Sequence, residues 1–430
     1  MRSSWVVVLA WSAIPIALSA LTGHRTFSFG SDSDLDQYLN AQRNYFHSRL
    51  VPGLSKRDHT EVSLTQSANG FLWATEIHVG TPPISYKVAV DTGSADLWLS
   101  ESVFNGSTSS TYRDTHESFS IQYGKGSVAG RQVQDVITLG TLTQPKQTFG
   151  IATLVNGTGI ADLDGVLGFG VQALSRMKAL PFWQNVPLEA PIFGLSLSDT
   201  HTPASNLTTP SVLTLGQLDG SLYAEPMQYL DTVDDLAWVI PISGFNISGH
   251  VEAFPTSSKA LIDSGTPYLA GPMDVVKRIY SHIPRAKEIP SQPGFFKIPC
   301  NSSLHVSIAF GKSQFLIQQN DFVVQSIYIP HDQDDDQDDR VTANDLLCLG
   351  AIGGMTNANG RWLIGSAFLK NVYTAFDNGQ PRRVGFASLS NDKNISTMLP
   401  AQISGAHSWH HVAWYGHWVG VVISFLFIFS

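Results

Sequence analysis

The sequence predicts a mostly-β protein made of two similar halves. Three observations favour this fold class: short strand-like segments recur along most of the chain, turns rich in Gly and Pro separate them, and one motif occurs twice. The 36 glycines suit tight turns and close backbone approach. With 43% hydrophobic residues, the 430-residue chain can form a large buried core.

The strand-like sequence pattern begins at residue 71 and continues almost to residue 388. The first two strands are predicted over residues 71–79 and 84–90, with a Gly-Thr-Pro-Pro turn between them. Helical candidates are few, and we expect helices over residues 171–179 and 273–282. This balance of elements predicts an enzyme-sized β protein.

A repeat relates the two halves. Residues 88–94 (VAVDTGS) are echoed by residues 260–266 (ALIDSGT), and each is an apolar strand that leads into an Asp turn. A second echo follows later in each half, at residues 165–169 (GVLGF) and 362–366 (WLIGS). Because each half repeats the same features in the same order, we expect an approximate two-fold axis with the two Asp turns meeting across it.

The two Asp turns carry the groups needed to hydrolyse an amide with an activated water. One carboxylate has to accept a proton from water, and a second acid has to hydrogen-bond the scissile carbonyl. Two neighbouring carboxyl groups cannot both ionise at low cost, so they share one proton and titrate as a pair. We therefore predict Asp91 and Asp263, here called the dyad, as catalytic residues.

The residues after each Asp suit a supporting role. Glycine allows a tight turn that brings backbone N–H groups to the carboxylate, and hydroxyls can donate to its outer oxygen or lock the two turns together. One such tetrapeptide arises by chance in roughly one chain in fifty of this length, so the significant signal is the pair. The predicted supporting residues are Thr92, Gly93, Ser94, Ser264, Gly265 and Thr266.

Over residues 70–388 the chain resembles the pepsin family of aspartic proteases. The two Asp motifs match, the first continues into Leu97 and Trp98 as in the family, and residues 121–127 (IQYGKGS) match the family's flap hairpin. The resemblance implies a bilobal β fold with a central cleft. The N-terminal lobe would span residues 58–240 and the C-terminal lobe residues 241–390.

The resemblance also implies roles in the flap. Tyr123 would cover the cleft and meet the indole of Trp98, while Gly124 and Lys125 would bind the substrate through their backbone groups. A Gly-rich hairpin can open and close over an extended peptide and exclude water. The implied activity is that of a monomeric aspartic endopeptidase with polypeptide substrates and an acidic pH optimum, without metal or organic cofactor.

A second interpretation is a non-catalytic pepsin-like protein that binds ligands at the cell surface. Such a binder would not need the dyad, its hydroxyl neighbours and the flap tyrosine together, and all are present. Three departures from the family are visible. Residues 103–112 lack the small disulfide loop, Lys125 replaces a small or acidic flap residue, and Ser366 stands where Asp is common.

The N-terminus is typical of a secreted precursor. Arg2 precedes an apolar run over residues 5–18, so residues 1–20 are predicted to be a signal peptide; an N-terminal membrane anchor is the alternative. Residues 21–57 are predicted to be a propeptide that is cleaved after the dibasic pair at its end. The alternative for that pair is an ordinary polar turn.

The C-terminus resembles a GPI-attachment signal. After a stalk over residues 391–404 come small residues, a spacer with histidines and an apolar end, so Ser404 would carry the lipid and residues 405–430 would be removed. A transmembrane helix over residues 411–430 is the alternative. Together with the leader, this arrangement resembles fungal yapsin-type proteases held at the plasma membrane or cell wall.

Further features fit the secretory route. The formal charge of −9 argues against a nucleic-acid partner, and Cys300 and Cys348 are expected to form a disulfide, as in the family. The acidic stretch at residues 331–339 lacks the Gly and Glu of a calcium loop, so it is a solvated loop or attracts basic substrates. The glycosylation sequons are Asn105, Asn156, Asn206, Asn246, Asn301 and Asn394.

Overall fold

The computed structural model describes residues 58–68, 70–124, 126–160, 162–198, 210–329 and 346–390. The predicted signal peptide, propeptide, stalk and lipid-attachment region lie outside the described residues, as do the acidic stretch, Lys125, Asn206, Asn394 and Ser404. In the described part of the chain, no helix combines the length and apolar character needed to cross a bilayer.

The mostly-β prediction is confirmed, because strands take 50% of the structure and helices 9%. In chain order the strands are β1 (Thr60–Ser63), β2 (Thr65–Gln66), β3 (Trp73–Val79), β4 (Ile84–Asp91), β5 (Leu97–Ser100), β6 (Arg113–Gln122), β7 (Ser127–Leu139), β8 (Leu142–Asn156), β9 (Gly165–Gly168), β10 (Ile192–Ser196), β11 (Val212–Leu215), β12 (Tyr223–Asp231), β13 (Val239–Pro241), β14 (Gly244–Ile247), β15 (His250–Ala253), β16 (Lys259–Ile262), β17 (Leu269–Pro272), β18 (Lys287–Glu288), β19 (Phe296–Pro299), β20 (Val306–Phe310), β21 (Ser313–Ile317), β22 (Val323–Ile329), β23 (Leu347–Gly350), β24 (Ile352–Met355), β25 (Arg361–Ile364), β26 (Tyr373–Asp377) and β27 (Arg383–Leu389). The helices are α1 (Phe182–Asn185), α2 (Met273–Ser281), α3 (Gln319–Phe322) and α4 (Ser366–Leu369).

Eight strands of the first half form one sheet in the order β2-β3-β4-β9-β5-β8-β7-β6. Strand β4 is apolar and buried over its second half, and it ends at Asp91, which lies opposite Gly168 of the parallel strand β9. Strand β9 in turn runs antiparallel to β5. This places the first Asp turn at the end of a strand that is held on both sides.

The second half repeats this pairing in the sheet β13-β16-β25-β17-β24. Strand β16 runs parallel to β25, with Ile262 opposite Ile364, and β25 runs antiparallel to β17. The repeat in the sequence is therefore also a repeat of topology. Two four-stranded sheets, β15-β14-β20-β21 and β18-β19-β23-β22, complete this half.

A six-stranded sheet, β1-β11-β10-β26-β27-β12, takes strands from both halves. Within this sheet, Phe193 of β10 in the first half stacks on its cross-strand partner Phe376 of β26, with ring centroids 4.7 Å apart. Trp238 contacts both rings. The core is thus continuous between the halves, and the proposed lobe boundary at residues 240 and 241 falls inside β13.

The helix predicted over residues 171–179 is wrong, because the structure has only a short 3₁₀ turn, Gln172–Leu174, in this segment. The buried carboxylate of Asp96 accepts the backbone N–H groups of Arg176 and Met177, at 2.7 and 3.4 Å. These groups would donate to earlier carbonyls in a helix. A tertiary acceptor has therefore replaced the local helical bonds.

The helix predicted over residues 273–282 is confirmed as α2, which ends one residue earlier. Its buried residues Val276, Ile279 and Tyr280 are spaced three and four apart, so one face packs into the core. The predicted disulfide between Cys300 and Cys348 is also confirmed. Of the described sequon asparagines, Asn105, Asn156 and Asn301 are exposed and Asn246 is half-buried.

Candidate active site

The two Asp turns meet where β4 and β16 end. Asp91 and Asp263 are both buried, with 8% and 9% of their surface exposed. A Cβ added to Gly93 would lie 2.4 Å from Oδ1 of Asp263, and one added to Gly265 would lie 2.4 Å from Oδ1 of Asp91. Each glycine therefore lies against the carboxylate of the opposite turn, and only a residue without a side chain allows that approach.

Each carboxylate accepts the same pair of hydrogen bonds. Oδ1 of Asp91 accepts the N–H of Gly93 at 2.8 Å, and Oδ2 accepts the hydroxyl of Ser94 at 2.5 Å. In the second turn the equivalent donors are the N–H of Gly265, at 2.9 Å, and the hydroxyl of Thr266, at 2.8 Å. The two turns thus stabilise negative charge in the same way.

The middle residues of the turns bond across the axis. Thr92 Oγ1 donates to the carbonyl of Ile262 at 2.9 Å and accepts the N–H of Ser264 at 2.9 Å. Ser264 Oγ donates to the carbonyl of Val90 at 2.8 Å and accepts the N–H of Thr92 at 3.1 Å. All four bonds are buried, so they fix the separation of the turns.

The electrostatics of the pair favour retention of a proton. Burial raises the pKa of Asp263 well above its usual range, and the neighbouring charge of Asp91 raises it further. Donors from Thr266 and Gly265 act in the opposite direction, but they do not offset the first two effects. The site can therefore hold a protonated and an ionised carboxyl side by side, which is an acid and a base in one place.

The flap (residues 121–127) is the turn between β6 and β7. The N–H of Tyr123 donates to the carbonyl of Gly126 at 2.9 Å and closes the hairpin. The indole Nε1–H of the buried Trp98 donates to the Tyr123 hydroxyl at 2.7 Å. Burial and the charge of Asp91 raise the pKa of Tyr123, so its hydroxyl remains protonated. Gly124 lies half-exposed at the hairpin tip.

Sequence reasoning missed two site features, and it singled out Ser366 without predicting its hydrogen bond. Asp96 is buried, and burial raises the pKa of its carboxyl. The available signal was a charged residue between Ala95 and Leu97. Phe71 and Tyr268 form a ring contact that no local pattern indicates. The hydroxyl of Ser366, which stands where Asp is common, donates to the carbonyl of Thr266 at 3.2 Å, behind the second turn.

Potential metal ligands are not gathered at this site. Across the residues that the structure describes, no group of three or more His, Cys, Asp or Glu side chains is placed to hold an ion. At the dyad, backbone N–H and hydroxyl groups donate to the carboxylate oxygens instead. These groups are suited to position the carboxylates for proton transfer.

Comparison with known proteins agrees with this geometry. The sequence profile of the family described as Eukaryotic aspartyl protease matches residues 72–389. The chain is 29% identical to major aspartyl peptidase 1 of Cryptococcus neoformans var. grubii, over 80% of this chain and 74% of the relative. It is 28% identical to an aspartic protease of Phaffia rhodozyma, over 87% and 91%, and 29% identical to human gastricsin, over 73% and 80%. The chain therefore belongs to the pepsin family of eukaryotic aspartyl proteases and is an aspartic-type endopeptidase.

Proposed function

We propose that Asp91 and Asp263 are the catalytic pair of this endopeptidase and activate a water between them. The observation that carries the proposal is the convergence of the two turns. A Cβ added to either glycine would lie 2.4 Å from a carboxylate oxygen of the opposite turn. Burial and mutual charge keep one proton on the pair. That proton belongs to the pair rather than to either residue alone.

The reaction then needs only the two carboxyl groups and the water between them. The ionised carboxylate takes a proton from water as the water oxygen bonds to the scissile carbonyl carbon. The protonated carboxyl gives its proton to the carbonyl oxygen, which produces a tetrahedral diol. When the C–N bond breaks, one carboxyl protonates the leaving nitrogen and a diol hydroxyl returns a proton to the other. The products are an acid and an amine, and the dyad again holds one proton.

The flap would hold the substrate over the dyad. A polypeptide in extended form would lie between the two halves, with backbone groups of Gly124 and Lys125 bonding to it and Tyr123 covering the reacting amide. The bond from Trp98 to Tyr123 supports this placement, because it fixes the ring above the first turn. Closure of the hairpin would exclude bulk water and strengthen the electrostatic interactions inside.

The proposal is tested by Asp91→Asn and Asp263→Asn, with Asp274→Asn on the exposed surface of α2 as the matched control. Either dyad variant should lower peptide hydrolysis by at least about a thousandfold, while the control hydrolyses peptides like the parent. A pepstatin-like inhibitor should block the parent. A parent protein that binds peptides but cuts none between about pH 3 and 7 would instead be the non-catalytic binder.

We also propose that the chain is secreted as a zymogen and held at the cell surface. The sequence supports this with a predicted signal peptide, a predicted propeptide that ends in Lys56 and Arg57, and a small-residue triplet that begins at Ser404. Two of the compared relatives are fungal, which fits a yapsin-like placement. If the protein carries a GPI anchor, a phosphatidylinositol-specific phospholipase should release it from intact cells. If a transmembrane tail holds it, only detergent should release it.

A further inference from the structure

One of the described sequons lies on the strand that pairs with the flap. Asn156 is the last residue of β8, and its partner across the β7–β8 ladder is Ser127, the last residue of the flap. A Cβ on Gly126 would overlap the carbonyl oxygen of Asn156, and the φ of +86° at Gly126 favours glycine as well. The sequon asparagine is therefore packed against the base of the flap.

Asn156 shares one face of this hairpin with an exposed leucine. The ladder is regular over the last three residues of β8, so Leu154 and Asn156 lie on one face and Val155 on the other. Val128, opposite Val155, is buried in the cluster around Trp98. Leu154 and Asn156 thus occupy the outer face, turned away from that cluster. Of the large apolar side chains that the structure describes, Leu154 is the most exposed, at 67%.

A sugar on this asparagine can cover the leucine. Asn156, Gly157 and Thr158 form an N-x-T sequon, and Asn156 is exposed. An N-linked oligosaccharide is bulky, and it would start two residues from Leu154 on the same face. Pyranose rings present C–H groups on one face, so the first sugar can pack on an apolar side chain and remove its surface from water.

We propose that Asn156 carries an N-linked glycan that packs on Leu154 and excludes folded proteins from the flap side of the cleft. A short extended peptide passes beneath the flap and does not meet a sugar on the outer face. A folded protein that offers a loop brings the rest of its surface against the outside of the flap. A clash with one class of substrate gives selectivity without any new contact to the other class. The proposal rests on the proposed secretion and on the proposed action of the dyad.

Four variants of the full-length chain, expressed in a eukaryotic secretory host, test the glycan. Asn156→Gln removes the acceptor and Thr158→Ala removes the sequon hydroxyl, whereas Thr158→Ser keeps the sequon. Asn105→Gln is the matched control, because its sequon lies in the loop before β6, a strand of 10 residues that runs into the flap. That strand spans about 30 Å. The intact mass before and after enzymatic removal of N-glycans shows whether Asn156 is modified.

The same cleavage sequence is then offered as a free peptide and as an exposed loop of a folded carrier protein. Asn156→Gln and Thr158→Ala should cut the carrier about tenfold faster than the parent does, while kcat/KM for the peptide stays unchanged. Thr158→Ser and Asn105→Gln should match the parent with both substrates. The peptide is the internal reference, because a variant that only loosens the fold alters its cleavage too.

An unmodified Asn156 in the secreted parent would overturn the proposal, and so would carrier cleavage that stays at the parent's rate in both glycan-free variants. A rise of equal size for peptide and carrier would also overturn it, because the glycan would then act on the flap itself rather than on the size of the substrate. In each of these cases the dyad proposal stands. A parent that cuts neither substrate would remove the dyad proposal, and this one with it.

Discussion

Thr92 and Ser264 exchange hydrogen bonds between the two halves, each accepting the other's backbone N–H on its hydroxyl, at 3.1 Å on Ser264 and 2.9 Å on Thr92. Each hydroxyl also donates to a carbonyl of the opposite strand, so both hydroxyls act as donor and acceptor across the junction. The distance between the two Asp turns is thus set by neighbours of the aspartates. The carboxylates themselves remain available for proton transfer.

We predict that Thr92→Val lowers the free energy of unfolding by about 2–4 kcal/mol, because it leaves the N–H of Ser264 and the carbonyl of Ile262 buried without partners. Peptide hydrolysis should fall with it, since the turns lose their fixed separation. Urea unfolding and steady-state kinetics measure the two effects. Thr92→Ser keeps the hydroxyl and serves as the control. A Val variant as stable as the Ser variant would contradict the prediction.

Both Asp turns could be predicted from the sequence, because the repeat lies in local motifs: an apolar strand followed directly by Asp, a hydroxyl residue, Gly and a second hydroxyl residue. What the sequence could not show depends on contacts between distant segments. The acceptor that Asp96 provides for residues 175–177 replaced a predicted helix. The contact of Phe71 with Tyr268 joins positions that share no motif. The six-stranded sheet mixes strands of both halves, which a repeat alone does not imply.

The raised pKa of Asp263 predicts how folding stability depends on pH. Between the ordinary carboxyl value of 3.8 and the raised pKa, the folded chain holds a proton that the unfolded chain has lost. Folding stability should therefore fall as pH rises through this window, by up to about 1.4 kcal/mol per pH unit from this group. Asp263→Asn cannot titrate and should flatten the slope.

Urea midpoints measured over this pH window give the slope for each protein. Asp274→Asn, an exposed change that removes one carboxyl elsewhere, is the control and should retain the slope of the parent. If Asp263→Asn and the control vary with pH in parallel, the proton is not held by the dyad in the folded chain.

We predict that Tyr123→Phe lowers kcat/KM by about tenfold, because the indole N–H of the buried Trp98 loses its partner at 2.7 Å and the flap ring is no longer fixed. Trp98→Phe removes the same bond from the other side. The losses of the two single variants should not add in the double variant, because both remove one interaction. Fully additive losses in kcat/KM would show that the two side chains act independently.

The disulfide predicts a stability effect that leaves the chemistry unchanged. Cys300 and Cys348 lie 48 positions apart and join the residue after β19 to β23, in a sheet that contains neither β4 nor β16. In the chain-entropy model a closed loop of this length stabilises the fold by about 4 kcal/mol, so the double change to Ala should lower the free energy of unfolding by that order. The kcat/KM of the folded double variant should match that of the parent. If the variant and the parent unfold at the same urea midpoint, the disulfide does not restrict the unfolded chain. An altered kcat/KM would mean that this sheet positions the second Asp turn.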